Sequence, residues 1–237
     1  DKSSANPVPL CGVPYHAAQA YIAKLLKAGR TVALCEQVED PKLAKGLVRR
    51  EVVRLYTPGT LIDTELLSPG ESHFLAAVAF SDTTVPTAKG QSLIGLACLD
   101  VSTGEFWMTE FQGARAEVQL MDELARLEPR ELLHPDSLTN AGSCLTRLHG
   151  PRLCAQPAAS FNPKDAAQLL QTQFAVHSLD GFGCRGLSAG IGAAGAILRY
   201  VRETQPTASL AHLRRIQTRW SGDAMHLDSA TIRNLEL

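Results

Sequence analysis

The chain has 237 residues, 45% of them hydrophobic and 20% charged, with a formal net charge of -1. That is apolar enough to build a core, which excludes an intrinsically disordered chain, and long enough for two domains. No apolar run approaches the roughly 20 residues that cross a bilayer, no basic-then-apolar signal segment opens the chain, and the six cysteines form no C-x-x-C pair of the kind that holds zinc.

The cysteines, Cys11, Cys35, Cys98, Cys144, Cys154 and Cys184, stand mostly among apolar residues and read as reduced core thiols of a cytosolic protein. The small net charge hides an uneven distribution. Residues 1–60 carry nine Lys/Arg against five Asp/Glu, residues 61–184 carry seven against fifteen, and residues 185–237 carry seven against four. A basic front suits phosphate. An acidic middle repels phosphate and is better suited to contact with protein. Swings of this size are also ordinary on a solvated surface.

In chain order, DKSSANPVP reads as a cut loop, since no Met opens it. GVPYHAAQAYIAKLLKAGR reads as a helix, with Pro14 in its first turn, Gly29 just past its end, and Tyr21, Ile22, Leu25 and Leu26 on one face. TVALCEQV (31–38) is a buried strand and LVRREVVRLYT (47–57) a second, stopped by Pro58-Gly59. PGTLIDTELLSPGES, with a Pro-Gly pair near each end, is a linker. Strands are predicted at 74–80, 92–101 and 105–112, the last two joined as a hairpin. A helix at 114–128 places Val118, Met121, Leu124 and Leu127 on one side. RELLH (130–134) and RLCAQ (152–156) are strands, and 162–174 and 187–204 are helices. The last helix contains Gly190, Gly192 and Gly195, each costing about 1 kcal/mol in a helix interior, which predicts close approach to another backbone. Gln205-Pro206 ends it. LRRIQTRW and AMHLD then read as a hairpin, and DSATIRNLEL starts a helix that is severed at Leu237. The strand–strand–strand–helix–strand order is that of a ribonuclease H-like fold.

That fold raises the question of nuclease chemistry, which needs several carboxylates converging on divalent metal. Asp100, at the end of an apolar run and before a Ser-Thr-Gly turn, is the first candidate. Glu117 (or Glu123) on the following helix and Asp136 after the strand RELLH are the next, with Asp180 or Glu203 to complete the set. Asp100 has a second reading, as the acceptor that closes its own turn. The histidines, including His16, His73, His134 and His177, are scattered without ligand spacing, and no G-x-x-x-x-G-K-[ST] loop is present. Lys42, Lys45, Arg49, Arg50 and Arg54 form the densest basic cluster. It reads either as a DNA-backbone contact or as the solvated face of an edge strand.

Three segments carry a family resemblance. CGVPYHAAQAYIAKLLKAGRTVALCEQVEDP with VRREVVRLYTPGT resembles the back half of the mismatch-binding domain of the MutS family of bacterial DNA mismatch repair proteins. GLACLDVSTGEFWMTEF resembles the opening hairpin of that family's connector domain, and LDSATIRNLEL the start of its lever and core region. The resemblance implies an α/β fold in parts: the C-terminal part of a mismatch-binding domain (1–60), a linker (61–72), a ribonuclease H-like connector with a mixed sheet flanked by helices (73–206), and the start of a mainly helical lever/core domain (207–237). It implies a cytoplasmic protein, outside membranes, that works as a homodimer on mismatched duplex DNA, uses ATP and Mg, and recruits MutL. The Phe-x-Glu motif with which the family reads a mispair is absent from this sequence, and the resemblance places the ATPase site beyond Leu237. No catalytic residue and no cofactor is therefore expected in this chain, whose implied role is to couple the DNA reader to the lever and to offer a MutL-docking surface. Gln168 and Leu169, on the helix 162–174, are the docking candidates.

Overall fold

The structure is a computed structural model, which describes residues 12–40, 46–61, 73–80, 93–138, 142–206 and 208–220. The first unit contains helix α1 (Ala18–Lys27) and strands β1 (Val32–Gln37) and β2 (Arg50–Tyr56), which pair antiparallel as a two-stranded sheet. Its core is small: Ile22, Leu26, Tyr56 and Leu61, with Val32 and Leu34 packed against them. The four apolar residues predicted on one face of α1 are divided. Ile22 and Leu26 are buried, whereas Tyr21 is 49% and Leu25 45% exposed.

The second unit is a six-stranded sheet in the order β7-β6-β3-β4-β5-β8, formed by β3 (Phe74–Phe80), β4 (Leu93–Asp100), β5 (Glu105–Gln112), β6 (Glu131–Pro135), β7 (Arg152–Gln156) and β8 (Gln217–Thr218). β4 runs antiparallel to both β3 and β5, while β6 is parallel to β3 and to β7. An antiparallel meander that continues, through a helix, into parallel strands on the far side of β3 is the ribonuclease H-like arrangement expected from the order of elements.

Both faces of this sheet are covered, and its central strands are apolar without alternation for that reason. Leu75, Ala77 and Ala79 of β3 face helices α4 (Pro163–Phe174) and α5 (Ser188–Thr204), in a cluster with Leu170, Ile197 and Val201. Ala76 and Val78 face the opposite way, onto α2 (Ala116–Leu127) and the short α3 (Gly142–Leu145). The buried stripe of α2 is Ala116, Leu120, Leu124 and Leu127. Val118, predicted on that stripe, is 55% exposed. It lies only two residues from Ala116 and Leu120, so it projects from another side of the helix.

The small residues of α5 do what their cost in helix propensity implied. A Cβ on Gly195 would overlap Cβ of Ala166 in α4, and one on Gly95 of β4 would overlap the backbone of Ala189 in α5. The helix therefore lies against both its neighbours at backbone distance, and a larger side chain at either position would push elements apart. α4 begins as its sequence suggests: Pro163 is its first residue, and the Asn162 side chain accepts from Lys164 N at 2.9 Å. α5 has no side-chain cap of its own, and Glu110 of β5 supplies one across the sheet, accepting from Gly190 N at 2.8 Å. Burial pushes the Glu110 carboxyl above its usual pKa range, against the pull of these backbone N–H groups.

The segment after α5 packs onto the second unit. Leu210, Leu213 and Ile216, which the sequence reading assigned to the next domain, are buried in the α4/α5 cluster, and β8 adds to the sheet in parallel with β5. These residues stand three apart in a segment that is neither helix nor strand, so only the packing reveals the assignment. The proposed second arm AMHLD and the helix start DSATIRNLEL lie outside the described residues, as does most of the 61–72 linker. No helix among the described residues is long and apolar enough to cross a membrane.

Candidate functional site

The three candidate metal carboxylates do not meet. Phe74 of β3 is opposite Asp100, and its neighbour Leu75 is opposite Glu131, so Asp100 stands at the end of the sheet where β6 begins. Asp136 follows the last residue of β6, about 17 Å further along at 3.3 Å per residue. A shared metal requires its ligands within 2.6 Å of one ion. Glu117 is exposed on α2, and among the described residues no group of three His, Cys, Asp or Glu side chains could hold a metal ion. Asp100 is instead engaged locally: its Oδ1 accepts from Ser102 N at 2.9 Å, from Ser102 Oγ at 2.6 Å and from Thr103 N at 3.3 Å. Of its two readings, the turn is the one this geometry fits. Asp136 likewise accepts from the backbone, from Ala158 N at 3.0 Å.

The basic cluster is only partly open to a phosphate. Lys42 and Lys45 lie outside the described residues. Arg49 pairs with Glu51, which raises its pKa through the hydrogen bond and the neighbouring charge. Arg54 stacks over the Tyr56 ring at 5.5 Å. Arg50 is exposed at the start of β2. The docking candidates are on the outer side of α4. Gln168 is exposed, and Leu169 is half-buried against the core. Both line a groove of about 530 Å³ between α4 and α5, together with Asp165, Thr172, Arg199 and Arg202. Arg202 donates to Gln173 Oε1 at 2.8 Å, and Gln173 Nε2 donates to Leu210 O at 2.9 Å, which joins the groove wall to the segment after α5.

The structure also builds a site that the sequence reading missed, where the first unit meets the second. Glu131, at the start of β6, is 0% exposed. Its Oε1 accepts from Tyr200 OH of α5 at 2.8 Å and from Arg152 of β7 at 3.1 Å, and its Oε2 accepts from Gly59 N at 3.2 Å. Gly59 belongs to the turn Thr57–Thr60 that follows β2, and Thr57 and Thr60 are both fully buried, with their hydroxyls 2.8 Å apart. Gln205, just past α5, closes the other side: its Nε2 donates to Leu55 O at 3.3 Å and to Thr60 O at 3.2 Å. Glu131 of β6 and Gln205 thus reach the same end of the first unit, and Arg152 and Tyr200 brace Glu131. Burial and the Glu131 carboxylate push the Tyr200 phenol well above its ordinary pKa, so it stays a donor to Glu131. The available hint was Arg130-Glu131 at the start of an apolar strand, a charged pair where a buried strand has no obvious use for one.

A small α/β unit held by buried hydrogen bonds against a ribonuclease H-like sheet makes this a multidomain α/β protein. Residues 1–65 match the family described as MutS domain I, and residues 73–214 match MutS domain II. The chain is 45% identical to the DNA mismatch repair protein MutS of Syntrophobacter fumaroxidans over 238 residues, which is all of this chain and 26% of that protein. It is 45% identical to the protein of the same name from Myxococcus xanthus, across 98% of this chain and 25% of the relative, and 40% identical to that of Methanosarcina barkeri, across 100% of this chain. The chain belongs to the MutS family, and it spans about a quarter of the length of these curated relatives.

Proposed function

We propose that this chain is the coupling portion of a mismatch repair protein. The whole protein binds mismatched duplex DNA as a homodimer in the cytoplasm, uses ATP and Mg at a site outside these residues, and recruits MutL. The chain itself performs no chemistry. It transmits the state of the DNA-reading domain to the connector and offers MutL a surface on α4. The observation that carries this reading is the buried junction: Glu131, braced by Tyr200, and Gln205 hold the Thr57–Thr60 turn at the exit of the first unit. A movement of that turn cannot be absorbed locally, because a buried hydrogen-bonded carboxylate that loses a partner is strongly destabilised. Arg50 and Arg54, with Lys42 and Lys45, are the proposed DNA-backbone contacts, which need only a cation in reach of a phosphate.

The test is a titration of this chain against purified MutL, beside the Gln168→Ala/Leu169→Ala double variant. Saturable binding that weakens by about tenfold or more in the variant, equivalent to 1.4 kcal/mol, is the expected result. Binding that the variant leaves unchanged moves the docking surface off α4. No binding by either protein overturns the docking role of this chain and leaves the coupling role.

A further inference from the structure

Beside the junction lies a cleft of about 430 Å³ between α1 of the first unit and the β6/β7 edge of the connector. The proposed function makes no use of it. Among the described residues its charged lining is Lys24 and Lys27 from α1 and Arg130 and Arg152 from the connector, with His73 beside them and no Asp or Glu, while Glu131, outside the lining, pairs with Arg152. Lysines in the last turn of a helix are ordinary companions of its carbonyl end, and that accounts for Lys24 and Lys27. Arg130 and Arg152 line the same cleft from a different unit, in a region with seven basic residues against fifteen acidic ones, and Arg152 is also the partner of Glu131. Arg152 is held in place by its bond to Glu131, so its guanidinium is set before any ligand arrives. The remaining wall is apolar, with Leu26, Pro58 and Leu61.

We propose that this cleft binds a free mononucleotide, its phosphate among Lys24, Lys27, Arg130 and Arg152 and its base or sugar against the apolar wall. The volume falls in the range of small-molecule pockets, and the combination of converging cations with an apolar surface fits an organic phosphate better than a bare anion. A ligand there touches both units and stabilises their junction by mass action. This inference does not rest on the proposed function, since it concerns neither MutL nor mismatch reading.

The test is isothermal titration calorimetry of this chain with AMP and with inorganic pyrophosphate, in 50 mM and 200 mM NaCl. AMP is expected to bind saturably and more tightly than pyrophosphate, and to weaken at the higher salt. The Lys24→Ala/Lys27→Ala variant should lose at least tenfold in AMP affinity, and Lys164→Ala, on the distant α4, should lose none. If the double variant melts at a lower temperature than the parent, amide shifts of the parent protein decide: AMP should move Lys27, Gly29 and Gly150. The inference is overturned by the absence of AMP binding, by AMP binding that leaves those amides unmoved, or by equal affinity in the folded double variant. Displacement of AMP by a short DNA duplex would overturn the free-nucleotide assignment in favour of a strand phosphate.

Discussion

The first unit and the connector differ less in how apolar their sequences are than in how much of that apolar surface is covered. Val13, Tyr21, Leu25, Val38, Leu47 and Val52 are all exposed in the first unit, where, among the described residues, a two-stranded sheet and α1 shelter only a handful of side chains. In the connector the sheet has helices on both sides, and a strand such as β3 buries alternate residues in two separate cores. The contrast teaches that hydrophobic periodicity states which face of an element can be buried and not how much of it will be. A third layer decides that. The first unit therefore depends on the junction for its position more than the connector does, since a two-stranded sheet is marginal alone.

The largest effect is expected where the two units meet. Glu131→Ala leaves Arg152 and Tyr200 without their shared acceptor and should cost about 3 kcal/mol or more, the lower end of the range for a broken buried pair because Arg152 is partly exposed. Chemical denaturation should show the loss, and limited proteolysis should show the first unit cut earlier than the connector. If both units become susceptible together, the junction is no weaker than the connector and the contrast fails. The next effect is inside the connector. Gly195→Val forces α5 away from α4 at Ala166 and should cost about 1–3 kcal/mol, read as a lowered melting temperature. A variant as stable as the parent would mean that the helices can separate freely. The smallest effect belongs to the uncovered face of α1, where Leu25→Ser should change stability by no more than about 0.5 kcal/mol. A clear loss in melting temperature would show that Leu25 is covered in solution.

Much of the connector was legible because its information is local. The bounds of β3, β5, β7 and α4 follow from apolar runs and from Pro and Gly breakers within a few residues, and the glycines of α5 announce close packing by being poor helix formers. The site was legible only in pieces. Asp100 was rightly seen as able to close its own turn, because a turn involves three residues. Its distance from Asp136 depends on strand register, which no stretch of sequence displays.

Short segments of sequence carry the identity and order of most elements, the resemblance to the MutS family and the crowding around α5. Packing alone brings Glu131 to Gly59, 72 residues away, and Gln205 to Leu55 across 150, and places Leu210, Leu213 and Ile216 in the connector core. Those contacts form when the sheet closes and brings distant strand ends together, and the free energy that selects them is spread over the whole packed interface.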